Sequence, residues 1–528
     1  MLTELEEIVA YKMAPDDHER QAAIVSAWRQ RLGGIQEDVG MWQKLLRLRS
    51  MVLRPVLDLD TWIKYVNMSR KSGQMRIARD AISQLLYDEA MYMEEISRGE
   101  VEPTSEKLAV QAQEYVRQRA QLAQQTSQGG GFPLGLGARG AGQSSASWEG
   151  RMRRFSVSNG SNISTNAPLD MAIRLSQQPA LVYMYLKFKW AANERREAFQ
   201  MLEMFASDYA SRIGFDPRNP DVFSEHIDAR VLANLSGHAE AADDARTIHL
   251  LARFYFKQAE WLSTVEQTVT LSREARAKAG LDTEDSSFTR RMARRESIGV
   301  RRSRGSMLGG ASSGGPASRD GIRASDDGRS KQDAQFLYDL KGDRIDKAIL
   351  ESYRAATVLD RKWYKAWHLL ALRHFHEMQR YEIEHACITE DMVGTHVVPA
   401  VHGFFRAIQL SKSDTTLQDT LRLLTAWFNY SQFESVAQAV QDNFNSISIR
   451  TWLQVIPQIL ARIHIKSEST RRLIRQLLVE VGKSHPHAIL FSLYVAARSD
   501  HAERSHAAKD VLAKLHDVYP ELVEETEL

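Results

Sequence analysis

Cysteine is nearly absent from this chain, which holds one, Cys387, among 528 residues. A single thiol excludes an internal disulfide framework and a cysteine-based zinc site, and it fits a reducing intracellular compartment best. Long apolar runs are missing as well, since no window approaches the about eighteen consecutive apolar residues of a membrane span. The N-terminus, MLTELEEIVAYKM, carries glutamates where a secretory signal needs a basic start and an apolar run. We therefore expect neither a membrane span nor export.

The chain also lacks an excess of positive or negative charge. The chain has 69 Lys and Arg against 67 Asp and Glu, which gives a net charge of +2. Because the balance is nearly even, the chain as a whole has no electrostatic reason to prefer nucleic acid or an anionic membrane. Apolar residues make up 43% of the chain, which is enough for a large core and excludes global disorder. The length suits about three ordinary domains or one long repeat array.

Two stretches, residues 125–165 and 277–332, differ in composition from the rest. The first contains the Gly/Ser tract SQGGGFPLGLGARGAGQSSAS, and the second holds eleven Lys/Arg and four Asp/Glu between Arg290 and Lys331. Neither stretch has enough apolar surface to offset the entropy lost on ordering. Both are therefore predicted to be disordered insertions. The helical segments around them are then residues 1–124, 166–276 and 333–528.

The rest of the chain carries apolar residues at helical spacing. Between residues 413 and 430, one apolar stripe is predicted to be buried, at Leu417, Leu421, Leu424 and Phe428. Thr470–Gly482 is predicted to be a helix with five aliphatic residues on one face and three arginines on the other, ending at the glycine. Longer amphipathic stretches predict single helices over Ala22–Arg47, Pro179–Phe205 and Asp346–Gln379.

Many amphipathic helices joined by short loops, with almost no strand-like alternation, predict an all-α fold. The fold class is an α-solenoid, in which each helical hairpin buries its apolar face on its neighbours. The segment from Trp367 to His374 follows the start of the tetratricopeptide pattern W-x2-L-G-x2-Y in part, with Ala for Gly and His for Tyr. We therefore expect divergent, tetratricopeptide-like repeats.

Three motifs resemble reactive sites without completing one. Residues 135–140, GLGARG, match the phosphate-binding pattern G-x-G-x-x-G but lack the strand before it and the helix after it. Residues 342–344, GDR, resemble the catalytic loop of lipid-kinase-like enzymes, but the His and Asn that follow there are missing. His374 and His376 are two residues apart, whereas zinc hydrolases place two histidines four apart on a helix. We therefore expect no catalytic residue and no metal site.

Both insertions contain the sequence R-R-x-S, which ends at Ser156 in the first and at Ser297 in the second. These serines are candidate phosphorylation sites for an arginine-directed kinase, because phosphate would cancel local positive charge. The alternative is a linker with no such role, since the motif is short. Few aromatic residues accompany the basic ones, which disfavours stacking on single-stranded nucleic acid.

Several segments resemble one known family. They include Trp42-Gln-Lys-Leu, Thr61-Trp62-Ile-Lys64-Tyr65, Asp360-Arg-Lys-Trp363-Tyr-Lys-Ala-Trp-His368, Val398-Pro-Ala-Val-His-Gly-Phe-Phe-Arg406, Leu417-Gln-Asp-Thr-Leu-Arg422 and Arg450-Thr-Trp452-Leu-Gln-Val-Ile-Pro457. In this order they resemble the FAT region of the target-of-rapamycin (TOR) kinases, within the phosphatidylinositol-3-kinase-related kinases. The resemblance spans nearly the whole chain.

The resemblance implies a fold and a role. The fold is a series of tetratricopeptide-like helical pairs passing into HEAT-like pairs, bent into a clamp around a kinase domain. The chain would be a non-catalytic scaffold of a serine/threonine protein kinase, with the kinase domain of the same protein and the subunits of a TOR complex as partners. Its place would be the cytoplasm, including endomembrane surfaces reached through the complex. In the family, the rapamycin-binding segment and the kinase lobes come next, and the chain is expected to end, at Leu528, before either begins.

Related FAT regions also hold an inositol hexakisphosphate in a pocket of lysines and arginines. The resemblance implies Arg361 and Lys365 as ligands of its phosphates, since residues four apart share a helix face, with Lys187 as a third. The alternative is that these are solvated charges beside the buried Trp363 and Trp367.

Two other functions stay open on the sequence alone. A free-standing adaptor would capture peptides or helices on the concave surface of its repeats. A nucleic-acid binder would depend on the basic insertion, and its affinity would fall steeply with salt.

Overall fold

The computed structural model shows a chain built of helices. It describes residues 2–15, 17–35, 37–103, 106–128, 167–176, 178–213, 215–216, 241–278, 345–385, 388–411 and 416–527. Most of the two predicted insertions lies outside these ranges, as do Ser156, Ser297, Cys387 and the motifs at 135–140 and 342–344.

Every regular element in the described ranges is a helix, and no strand occurs among them, which confirms the all-α prediction. The chain divides into two compact units, Met1–Phe205 and Ala206–Leu528. The described helices of the first unit are α1 (Leu2–Lys12), α2 (His18–Gly34), α3 (Val39–Arg49), α4 (Leu59–Lys71), α5 (Met75–Ser97), α6 (Glu106–Gln128), α7 (Ala167–Leu175), α8 (Pro179–Ala191) and the beginning of α9 (Arg195–Arg212).

Local sequence signals set several boundaries in the first unit. The Asp17 side chain caps α2 by accepting the backbone N–H of Arg20 at 3.0 Å. Asp38 caps α3 in the same way, since its carboxylate accepts the backbone N–H of Met41 at 3.0 Å. Gly73 has a φ of 77°, a backbone conformation that side chains rarely allow, and it turns the chain from α4 into α5.

Two helix lengths predicted for this unit are wrong. The predicted Ala22–Arg47 helix is two helices, because Ile35 is extended and Asp38 starts a new helix. The predicted Pro179–Phe205 helix is broken between α8 and α9, where Asn193 has a φ of 69°, a conformation that asparagine tolerates better than most residues. Both breaks are short, so the apolar spacing continues across each of them as it would in one long helix.

The second unit begins within α9 and is a longer stack. Its further helices in the described ranges are α10 (Ala241–Lys278), α11 (Ile345–Leu359), α12 (Tyr364–Glu384), α13 (Val398–Leu410), α14 (Thr416–Asn429), α15 (Glu434–Asn443), α16 (Ile449–Leu453), α17 (Ile456–Ala461), α18 (Glu468–Ser484), α19 (Pro486–Ala497), α20 (Ala502–His516) and α21 (Pro520–Glu527). A short turn, Glu390–Met392, and a π-helical turn, Val393–Val397, lead directly into α13.

Helices of the second unit pack mainly on their neighbours in the chain. α10 pairs with α11, α11 with α12, α12 with α13 and α13 with α14, while α18 to α21 pack in sequence near the C-terminal end. Contacts between near neighbours are typical of a helical repeat array. One continuous apolar core runs through the array from Ala371 to Val523. The prediction of an α-solenoid is therefore confirmed.

The apolar patterns of this unit were partly misleading. Asp346–Gln379 is two helices, α11 and α12, because the chain turns between Leu359 and Tyr364. In α14, Leu424 is buried as predicted, but Leu421 and Phe428 are only half-buried and Leu417 is 40% exposed. Asp419, which is outside the predicted stripe, is buried. The buried face of α14 thus includes a polar residue, which an apolar pattern cannot reveal.

Gly482 does not end its helix as predicted, because α18 continues to Ser484. A Cβ atom at Gly482 would lie 2.6 Å from Leu515 Cδ2, so the glycine allows α18 and α20 to approach closely. The two predicted faces of α18 are confirmed. The aliphatic residues Leu473, Ile474, Leu477, Leu478 and Val481 are buried, and the arginines Arg471, Arg472 and Arg475 lie outside the core.

A second close approach offers a test of this packing. A Cβ atom at Gly403 of α13 would lie 2.8 Å from Ala371 Cβ and 3.3 Å from Ala371 Cα in α12. Because the backbone of α12 cannot move aside locally, Gly403→Ala should force the two helices apart. We expect a loss of about 1–2 kcal/mol in the free energy of unfolding, after the gain of about 1 kcal/mol in helix propensity.

Urea denaturation measures this loss. Gly394→Ala is the matched control, since a Cβ atom there meets nothing within 4 Å. If Gly403→Ala is as stable as Gly394→Ala, the close approach of α12 and α13 is incorrect.

Candidate functional site

The turn between α11 and α12 is anchored on α10. Trp363 packs on Phe256 of α10, with ring centroids 4.6 Å apart. Next to this pair, the Asp360 carboxylate Oδ2 lies 2.5 Å from His249 Nδ1. An aromatic contact and a hydrogen bond together therefore fix the start of α12 on the preceding helical pair.

Tyr364, His368, Asp419 and Arg422 form a polar contact between α12 and α14, here called the Asp419 cluster. The Asp419 side chain is only 1% exposed. Its Oδ2 lies 2.8 Å from His368 Nδ1 and accepts a hydrogen bond from Tyr364 OH at 3.4 Å. Its Oδ1 accepts from Arg422 Nη1 at 3.1 Å. Both oxygens of this buried carboxylate thus have donors, as a buried charge requires.

Glu266, Asp346, Arg373, Glu377 and Arg380 form a larger group, here called the Arg373 cluster. Arg373, whose side chain is 12% exposed, donates to both carboxylate oxygens of Glu266 at 2.6 and 3.1 Å and also to Asp346. It also lies 2.8 Å from Glu377. Arg380 reaches Asp346 at 2.8 Å and Glu377 at 2.6 Å. The cluster joins α10, α11 and α12 through their side chains.

Burial and pairing oppose each other in the Arg373 cluster. Burial disfavours the charged form of Arg373, yet the hydrogen bonds to Glu266 and the surrounding carboxylates raise its pKa above the ordinary value. Burial raises the pKa of Glu377, against the attraction of Arg373. For Asp346, burial acts upward, but the hydrogen bond from Arg380 and the charges of both arginines lower its pKa. These charges are therefore held by one another rather than by solvent.

Two histidines, the buried His374 and the half-buried His396, lie beside the Arg373 cluster. His374 Nδ1 is 3.3 Å from His396 Nδ1, and His396 belongs to the π-helical turn before α13. Burial, followed by the His396 charge, lowers the pKa of His374 to about 3. Burial also lowers the pKa of His396. Both rings are therefore neutral at pH 7, so that one Nδ1–H donates to the other Nδ1.

These two clusters hold neighbouring helices together through paired side chains. The carboxylates of both clusters face arginine, histidine or tyrosine donors. Among the residues that the structure describes, no three His, Cys, Asp or Glu side chains converge to hold a metal ion. In the same ranges, no helix combines the length and the apolar character needed to cross a membrane.

The predicted phosphate ligands Arg361 and Lys365 both lie where α12 begins. Arg361 lies in the turn before α12, which starts at Tyr364, so the expected helix face shared with Lys365 is wrong. Lys365 Nζ lies 5.1 Å from the ring centroid of Phe256. Lys187 belongs to the other unit, and its Nζ lies 4.6 Å from the ring centroid of Tyr183. The ligand itself stays a prediction.

Sequence reasoning missed the residues that join the helices, above all Asp419, Arg373 and His396. Asp419 stands within the segment Leu417–Arg422 that carries the family resemblance, and the segment Asp360–His368 supplies its partners. The one sign of a polar contact in the sequence was therefore an acidic residue inside an apolar segment that carries the family resemblance. Nothing in the sequence showed that the two segments meet.

Comparison with known proteins agrees with this picture. The FAT domain family matches residues 1–134, 157–284 and 333–425, and the family of ATR-like HEAT repeats of serine/threonine-protein kinases matches residues 435–526. The two gaps in the FAT match fall inside the two predicted insertions.

Curated relatives match along almost the whole chain. The identity is 26% over 97% of this chain with the serine/threonine-protein kinase tor1 of Schizosaccharomyces pombe. It is 25% over 100% with TOR2 of Saccharomyces cerevisiae and 26% over 99% with mTor of Drosophila melanogaster. The chain spans only 15%, 16% and 15% of the lengths of these proteins. The predicted resemblance to TOR kinases is confirmed and, because the FAT match extends over well more than half of its residues, the chain belongs to the FAT domain family.

Proposed function

We propose that this chain is the non-catalytic scaffold of a TOR-type protein kinase and that it clamps and positions the kinase domain. The Asp419 cluster is the observation that carries the proposal. It unites two of the segments that carry the resemblance to TOR kinases, and there they join two helices through paired side chains. Family membership and similarity along the whole chain support the same role.

The mechanism in this proposal is mechanical. A helical scaffold can position a kinase domain only if its adjacent helical pairs do not slide along one another. Carboxylates that are paired with donors resist sliding, because any slip leaves them unpaired, at a cost of about 3–5 kcal/mol where the charge is buried. The Arg373 and Asp419 clusters place such locks at two successive joints of the stack, between α10 and α12 and between α12 and α14.

The partners in this proposal are the kinase domain of the same protein and the other subunits of a TOR complex. The place of action is the cytoplasm, including endomembrane surfaces that the complex reaches. The relatives supporting these partners are named as serine/threonine-protein kinases.

The gene sequence downstream of codon 528 tests the proposal at little cost. In-frame kinase motifs are expected. A stop codon that the transcript also carries would favour the free-standing adaptor instead.

Loosening the Asp419 cluster in the protein that carries the kinase domain is the functional test. Asp419→Asn removes the charge that holds His368 and Arg422, so we expect kinase activity to fall about tenfold through misplacement of the catalytic groups. Asp442→Asn is the matched control, because Asp442 is exposed on α15. Equal activity of the two variants would refute the positioning role.

Inositol hexakisphosphate is proposed as a structural ligand near Arg361 and Lys365. Isothermal titration calorimetry of the chain with this polyphosphate should show binding that weakens about tenfold in Arg361→Ala and in Lys365→Ala, because each loses charge-assisted hydrogen bonds. Lys362→Ala, the exposed neighbour in the same turn, should bind as the original chain does. Unchanged affinity in the first two variants would reject the assignment.

A further inference from the structure

The π-helical turn Val393–Val397 is held in the core at both ends and exposed in the middle. Its first and last residues are fully buried and belong to the continuous apolar core of the second unit. Gly394 and Thr395, between them, are exposed. An opening of residues 394–396 would therefore leave both ends of the turn in place.

The backbone hydrogen bonds of this turn are irregular. The N–H of Val398 donates to the carbonyl of Val393, five residues back, where an α-helix uses the residue four back. Pro399 is near the start of α13 and has no N–H, so the carbonyl of Thr395 receives no regular helical bond from it. Segments with fewer regular backbone bonds open locally before the whole fold does. The middle of the turn is such a segment.

The side chain that holds the middle of the turn closed is that of His396. Its Nδ1 lies 3.3 Å from Nδ1 of His374, which is 1% exposed on α12. This hydrogen bond needs one nitrogen with a proton and one without, so the closed pair cannot hold two protonated rings. Among the described residues, Nε2 of His374 has no hydrogen-bond partner. A proton added at this buried nitrogen would therefore meet no acceptor.

The charged groups around the pair also disfavour its protonation. Burial is the largest cause that lowers the pKa of both rings. From α12, Arg373 lowers the pKa of both rings and Arg380 lowers that of the ring in the turn; from α11, Arg354 lowers that of the buried ring, and Asp346 alone opposes them. The other two carboxylates of the Arg373 cluster face its arginines. α13 and α15 also pack on the turn and contribute apolar side chains to the same core.

We propose that the π-helical turn is a pH-sensitive switch between α12 and α13, which the His374–His396 bond holds closed above neutral pH and which opens at residues 394–396 as the pH falls below 6.5. Water reaches the rings in the open turn, so protonation favours the open form. Opening changes the surface beside the Arg373 cluster while the ends of the turn stay in the core. The switch does not depend on the kinase-positioning role.

The expected size of the effect follows from proton uptake. A histidine that is neutral in the closed turn and has the ordinary pKa of about 6.5 in the open turn shifts the opening equilibrium about tenfold between pH 7.5 and pH 5.5. If both rings take up a proton, the shift is about a hundredfold. Because the open form binds more protons, its population rises as the pH falls.

Amide hydrogen exchange of the full 528-residue chain, read by mass spectrometry, tests the switch. After correction for the intrinsic pH dependence of exchange, the opening constant of a peptide covering residues 390–400 should rise about tenfold or more from pH 7.5 to pH 5.5. Peptides from α12 and α14 should stay more protected than the turn at both pH values. His396→Gln keeps an amide that can bond to His374 but does not titrate, so it should lose most of the rise. His376→Gln, at an exposed position of α12, is the matched control and should behave as the original chain does.

Thermal unfolding at pH 7.5 should be the same in both variants and in the original chain, which excludes misfolding as the cause. If His396→Gln does not fold, His374→Gln, compared with the same control, takes its place. The proposal is overturned if the opening constant of the turn does not depend on pH, if His396→Gln keeps the full dependence, or if His376→Gln removes it. It is also overturned if the turn exchanges only together with α12 and α14, because the opening would then be global.

Discussion

Arg373→Met is expected to lower the free energy of unfolding by about 3–5 kcal/mol. The variant removes the guanidinium that bonds to Glu266, Asp346 and Glu377 but keeps a side chain of similar length. Asp346 and Glu377 then share the remaining charge of Arg380, and Glu266 loses its bidentate partner in a half-buried position. Urea denaturation at pH 7 measures the loss.

Two further variants show whether the loss of stability comes from the burial of Arg373 or only from the loss of one charge. Arg472→Met removes an arginine whose side chain is 76% exposed and which pairs with Glu468 at 3.4 Å, so its loss should stay below about 0.5 kcal/mol. Adding Glu266→Gln to Arg373→Met should restore part of the lost stability, because one unpaired charge disappears. The account of the Arg373 cluster is wrong if Arg373→Met costs no more than Arg472→Met.

Acidification is expected to destabilise the second unit through His374. The pKa of this residue is about 3 in the folded chain, against about 6.5 for an unfolded histidine, so the unfolded chain takes up the proton first as the pH falls. The stability from the neutral ring is complete above pH 6.5 and is lost progressively towards pH 3. At pH 4.5, two units into this window, the loss is about 3 kcal/mol.

The charged groups around the histidine pair act in the same direction. Arg354 and Arg373 lower the pKa of His374, and Arg380 lowers that of His396, while Asp346 alone opposes them there. His374→Gln keeps an amide that can bond to His396 but does not titrate. The free energy of unfolding between pH 7 and pH 4.5 should therefore fall by about 3 kcal/mol more in the original chain than in this variant. Parallel pH profiles would show that His374 is not buried and neutral.

The sequence predicted the class of the fold because helical periodicity is repeated in almost every described segment. The two insertions, residues 125–165 and 277–332, stay predictions from composition, and the gaps in the FAT match fall within them. Helix breaks at Asn193 and between Leu359 and Tyr364 escaped prediction, since each is a turn of a few residues between two segments with the same periodicity.

The Asp419 and Arg373 clusters could not be predicted from the sequence, for a different physical reason. Asp419 and His368 are 51 residues apart, and Arg373 and Glu266 are 107 apart, so only the stacking of helices brings them together. A search for apolar spacing also cannot predict that an acidic residue lies on the buried face of α14. The helix face expected to be shared by Arg361 and Lys365 was wrong because α12 begins three residues after Arg361.

The central claim is that these helices form a scaffold that carries no reaction of its own. Phosphoryl transfer by the purified 528-residue chain with saturating magnesium ATP and a generic protein substrate tests it most directly. The account predicts turnover no higher than a buffer blank. Turnover that grows with the concentration of the chain and survives removal of contaminating kinases would contradict it.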